Sequence, residues 1–241
     1  MEQEVERLRG SLAAVGCEDW LLPPASSDEI AEVVDAVSPH FLPDELIELW
    51  SLHAGIKVES RASERFLGWS APAQVLRRRA HWTDLGESYS YPSVWPYWNG
   101  DRWLPIAAAD RNTLFVVLGD KPFRQSVVGV HSSSTLDIRV QQSSLRSWVM
   151  SLDLVIGGLA DLGIDACDSD LWPSGWWDTM EFHHQDPDFF PHLLLESLRD
   201  RLPGIAAVDA AVTWPEPTPF WVGVGDPLAG PWIDTLGLPP T

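Results

Sequence analysis

The sequence predicts an α+β fold, a mixed but mainly antiparallel sheet packed against helices, with an irregular α+β C-terminal extension. Three observations predict it. Apolar residues recur at helical spacing through the first fifty residues. Short β-rich runs bounded by turn residues occupy 103–140. A strongly amphipathic segment then begins near Ser144.

Val5, Leu8, Leu12 and Val15 mark the apolar face of a first helix, and Gly16 can end it. Leu21-Leu22-Pro23-Pro24 is extended, because proline disfavours helix in the residue before it. Ser26 with Glu29 forms a capping box for a second helix, whose expected buried face is Ile30, Val33, Val34 and Val37. Pro39 closes that helix. A third helix starts at Pro43 and runs through Leu46, Leu49 and Trp50 to His53, with Gly55 as its expected left-handed cap. Residues 65–69 read as a short strand, and Ser70 as the cap of a helix containing Pro72, Val75 and Leu76. Residues 83–102 read as a long loop. Strands are expected at Trp103–Ala107, Thr113–Leu118, Ser126–His131 and, more weakly, Leu136–Val140, with turns at Asn112 and 119–122. Ser143 or Ser144 caps a helix built on Leu145, Trp148, Val149, Leu152, Ile156 and Leu159. Residues 1–162 read as one domain. Residues 163–241 are an acidic, Trp-rich extension, expected to pack on it, with a helix at 190–202 and a hairpin over 206–225.

The chain carries a net charge of −19. Residues 1–50 hold about −10 of it and residues 151–241 about −13, while 51–80 are basic at about +4. Such a chain repels phosphate backbones, which argues against nucleic acid as a ligand, and it attracts basic partners. It contains no apolar run long enough for a membrane span and no secretory leader, so a cytoplasmic location is expected. Cys17 and Cys167 lie far apart without a CxxC neighbour, which predicts neither a zinc site nor a disulfide framework. Arginine exceeds lysine 14 to 2, a composition that hints at a GC-rich bacterial gene.

Candidate sites follow from residue type. Tyr89, Tyr91, Trp95 and Trp98, flanked by Asp101 and Asp110, make a candidate partner-binding rim, since aromatics dominate interface hot spots. Packing against the domain is the equal alternative for the loop aromatics. Trp103 opens a strand and reads as core before it reads as rim. Trp50 and His53 lie one turn apart and could wall a pocket, but a core Trp with a capping His is the better reading. Arg77–Arg79 reads as a solvated helix face. His183, His184, Asp186, Asp188 and His192 form the one metal-like cluster, yet adjacent histidines on a loop diverge, and no metal or cofactor is expected. Ser132–Ser134 beside His131 lacks a GxSxG elbow, and Gly223-Val224-Gly225 lacks the lysine and following helix of a nucleotide loop.

Three stretches, in order, resemble the SUKH superfamily, the Smi/Knr-type domain of yeast cell-wall regulators and bacterial immunity proteins. The first holds Leu42-Pro43-Asp44, Leu49-Trp50, His53 and Gly55. The second is Trp103-Leu104-Pro105-Ile106-Ala107 with Asp110, and the third is Val127–His131 followed by Ser144–Trp148. The resemblance spans residues 20–160. It departs from the family where Ala108–Asn112 replaces a Gly-rich turn. It implies an α+β binding domain without catalytic residues, most often an immunity protein that blocks a toxin, nucleases among them. It also implies Trp50, His53, Gly55, Trp103 and Trp148 as signature positions. The other readings are a regulatory or scaffold protein without a toxin and, remotely, a metal-dependent enzyme using the 183–192 region.

Overall fold

The computed structural model describes residues 1–56, 68–88, 102–109, 112–132, 137–142 and 144–161. The expectations for 163–241, the loop at 89–101 and Asp110 lie outside the described residues, as do 65–67 of the expected strand.

Helix α1 (Glu2–Ala14) buries Val5, Leu8 and Leu12, the residues its periodicity picks out. A single 3-10 turn at Glu18–Trp20 leads to α2 (Ser27–Val37). The capping box is formed. Ser26 Oγ accepts from Glu29 N–H, and Ser26 N–H donates to Glu29 Oε2 at 2.8 Å. The bond from Ser26 N–H, and after it one donated by Ser26 Oγ to Glu29 Oε2 at 2.8 Å, hold the Glu29 carboxyl below its ordinary range. Val34, expected on the buried face, is 41% exposed. It sits 100° around the helix from Val33, and α2 buries only the Val33–Val37 stripe with Ile30 at its edge.

Helix α3 (Asp44–Leu52) starts one residue later than expected, with Pro43 extended before it. Gly55 is not a left-handed cap. Its backbone instead passes so close to the Trp69–Ala71 chain that a Cβ would lie 2.9 Å from Trp69 O and 3.0 Å from Ala71 N. Close approach, not a positive φ, is what calls for glycine there.

Helix α4 (Pro72–Ser88) continues through 83–88, where a loop was expected. That stretch contains no proline and a single glycine, so extending an existing helix costs little. Gly68 and Trp69 lie outside any strand. The carbonyl of Ala71, not the side chain of Ser70, opens α4 by accepting from Gln74 and Val75 N–H.

The sheet follows, formed by β1 (Trp103–Ala109), β2 (Asn112–Val117), β3 (Val128–Ser132) and β4 (Asp137–Gln142) in the order β1-β2-β3-β4. All of its pairings are antiparallel, where a mixed sheet was expected; the parallel pairing among the described residues is the isolated bridge Pro43↔Phe123. Asn112, expected in a turn, pairs with Ala109 as the first residue of β2. Helix α5 (Leu145–Asp161) closes the described fold.

One sheet face is the core. Leu104, Val116 and Val128 stand opposite one another across three strands and join Leu8, Leu12, Leu46, Trp50, Trp69, Val149 and Ile156 in one apolar cluster. Helix α1 runs along α5, α3 touches both, and α2 packs on α4, which packs on β1. Side chains alternate across a strand, so Trp103 and Phe115 occupy the other face. Their rings stack at 4.4 Å, and both are fully buried. Gly129 stands opposite Phe115, and a Cβ there would meet the ring at 2.3–2.9 Å.

This contact gives a test of the packing. Gly129→Ala is expected to cost about 1–3 kcal/mol, through displacement of a buried ring. A lowered urea midpoint at unchanged m reads it; an unchanged midpoint would mean that the ring has room to move.

Candidate functional site

Trp50, His53, Gly55 and Trp148 converge around a fifth residue, Trp69, where α3, α4, β1 and the 21–25 segment meet. The junction begins in the sheet. Pro105 pairs with Phe115 and Ala107 with Leu114, which leaves Ile106 as an extra, bulged residue on β1. Proline has no N–H to give to the ladder, so an edge strand with a bulge accommodates it. The Ile106 carbonyl accepts from Ser70 N–H at 2.7 Å.

Ser70 passes the connection on. Its carbonyl accepts from Trp50 Nε1 at 3.0 Å, and its hydroxyl accepts from Arg78. The neighbouring Trp69 carbonyl accepts from Ile56 N–H, while Trp69 Nε1 donates to His53 O, each at 2.9 Å. Trp69 also meets Trp148 of α5 edge-on, at 6.5 Å and 73°. The indoles of Trp50 and Trp69 are fully buried, and the N–H of each has found a carbonyl, as a buried Trp requires.

His53 ties this junction to the N-terminal segment. Its Nδ1 bonds Leu22 O at 2.7 Å, and its Nε2 contacts Arg9 Nη2 of α1 at 2.6 Å. Around it, Leu22 N–H donates to Gly55 O, Ala54 N–H to Pro23 O and Ala25 N–H to Trp50 O, all at 2.9 Å. The prolines at 23 and 24 keep the 21–25 stretch extended and able to lie along the end of α3. The polar atoms of Trp50, His53 and Trp69 thus go into bonds within the chain.

A second polar element was not foreseen. Glu45, buried on α3, accepts from Leu145 N–H at 3.2 Å and so caps α5 from 100 residues away. Ser144 adds a local cap, its Oγ accepting from Ser147 N–H at 3.0 Å. Burial pushes the Glu45 carboxyl above its ordinary value, against the opposing pull of the Leu145 N–H and Arg146. Arg78 and Arg79, expected on a solvated face, are engaged, Arg78 with the Ser70 hydroxyl and Arg79 with the Ala36 carbonyl. Burial, with Arg77 beside it, pulls the Arg78 guanidinium downward.

Of the remaining candidates, Trp103 lies inside, stacked on Phe115. Tyr89, Tyr91, Trp95, Trp98, Asp101, Asp110 and the 183–192 histidine cluster lie outside the described residues. Among the described residues Cys17 is buried, with Sγ 3.5 Å from the Val15 carbonyl, no group of three metal-ligating side chains occurs, and no helix is long and apolar enough to cross a membrane. Sequence reasoning missed Arg9, Trp69 and Glu45. Trp69 alone carried a signal, a large aromatic three residues before a helix start.

A carboxyl held above its ordinary value takes up its proton more readily folded than unfolded. This term therefore favours the fold at low pH and is lost as pH rises through the folded value. Glu45→Gln keeps an acceptor for Leu145 N–H and removes the buried charge. The variant is expected to melt about 2–4 °C above wild type at pH 7 and to converge with it below the carboxylate range. Thermal melts across pH 3.5–8 check this (on the order of half-unit steps); equal midpoints at pH 7 count against the account.

No protein-family model matches the chain, and no curated protein matches it significantly.

Proposed function

We propose that this chain is a SUKH-type protein-binding domain that acts in the cytoplasm as an immunity protein, neutralising a basic, nuclease-class toxin by direct binding. One observation carries the reading. The residues on which the resemblance rests sit at the joints of the fold. Leu42-Pro43-Asp44 leads into α3, and Gly55 allows the close crossing at Trp69–Ala71. Trp103–Ala107 forms the bulged edge strand, and Ser144–Trp148 opens α5. His53 spends both ring nitrogens on Leu22 and Arg9.

A framework whose signature side chains bond inward leaves recognition to the surface. That surface belongs to a chain of charge −19, with the exposed carboxylates of Asp28, Glu29, Glu32 and Asp35 on α2. A field of this sign speeds encounter with a basic protein and disfavours nucleic acid. Blocking by binding needs no catalytic group on the inhibitor.

Co-expression of the full chain with the gene adjacent to its own tests the reading. The expected result is survival of cells that die with that gene alone, and co-purification of the two proteins. Because charge steers the encounter, the association rate is expected to fall about tenfold or more from 50 to 500 mM salt. Cell death despite expression, with no complex, would reject immunity. A stable partner without toxicity would move the chain to the regulatory class.

A further inference from the structure

We infer that His53 is a proton-controlled latch joining α1 to the end of α3. The geometry fixes the state of the ring from both sides. Leu22 O can only accept, so the proton of the neutral ring sits on Nδ1. Arg9 can only donate, so Nε2 must offer its lone pair. Donor and acceptor agree on one tautomer, and that tautomer is the uncharged ring. A second proton would place an N–H against a guanidinium N–H across 2.6 Å, and the contact cannot survive it.

The charged groups around the ring are few among the described residues. From α1 come Arg9 and Glu6, which forms an ion pair with Arg9. From the 21–25 segment comes only the Leu22 carbonyl, and Trp69 contributes an indole N–H to the carbonyl of His53 itself. When the ring takes up a proton, Arg9 is left with Glu6, and the tie between α1 and α3 is lost. The loss is local. Val5, Leu8 and Leu12 remain in the core, and Ser11 Oγ still donates to Asp153 of α5 at 2.7 Å. Protonation of the ring therefore loosens the second half of α1 and the Leu21–Ala25 stretch while the sheet stays closed.

Ring and amide NMR of the full-length ¹⁵N-labelled chain tests this, with His53→Asn assigning the ring signals. At pH 8 the His53 ring is expected as the Nδ1–H tautomer, the minor form of free histidine. As the pH is lowered and the ring takes up its second proton, the protection of amides in the second half of α1, corrected for intrinsic exchange, is expected to fall about tenfold in step with the ring. Arg9→Met, at an exposed side chain, is expected to remove that step. His53→Asn, which retains a donor for Leu22 O but has no titrating ring, is expected to remove it as well. An Nε2–H tautomer at pH 8, constant protection in wild type, or a step that persists in either variant would overturn the proposal.

Discussion

The hydrogen bond from Ser70 N–H to the carbonyl of Ile106 is the joint on which the described fold turns. An edge strand in a regular ladder spends its carbonyls on its neighbour or on water. Pro105 cannot donate, β1 bulges, and the Ile106 carbonyl is released toward the helices. From that one acceptor a chain of bonds runs inward through Ser70, Trp50 and Trp69 to His53, Leu22 and Arg9. Helices α1, α3 and α4, the 21–25 stretch and the sheet are thereby held by atoms within a few residues of one crossing.

Apolar burial drives the packing of α1 on α5 and joins the sheet to the same core, but it is not directional. It would tolerate α3 and α4 sliding by a fraction of a turn. The indole N–H groups do not. Each sits in a fully buried ring, where losing its acceptor costs roughly 1–3 kcal/mol, so both must find the Ser70 and His53 carbonyls at once. Gly55 makes this possible by letting the end of α3 approach the Trp69–Ala71 backbone. Packing supplies the stability of the domain, and the junction supplies its register.

What was legible in the sequence follows the same division. The capping box of α2, the apolar stripe of α1 and the β-branched, apolar run of β2 are local, and each formed the element its pattern dictates. Glu45 could not be read as the cap of α5, because the two are neighbours only in space. Gly55 has the right position for a helix cap, yet its use is a contact with a chain segment fourteen residues on. Val34 has the right spacing for burial, but how wide a stripe α2 buries depends on the partner it meets. Of the candidate site, Trp50, His53 and Trp148 were visible as types, while Trp69 and Arg9, which connect them, were not.

The central claim is that the two indole N–H bonds act together as one joint. A double-mutant cycle measures this most directly, with Trp50→Phe, Trp69→Phe and the pair compared with wild type by urea unfolding. Each single variant is expected to lose about 1–3 kcal/mol, and the pair to depart from the sum by at least about 0.5 kcal/mol. Strict additivity, or single losses within about 0.5 kcal/mol of zero, would contradict the account.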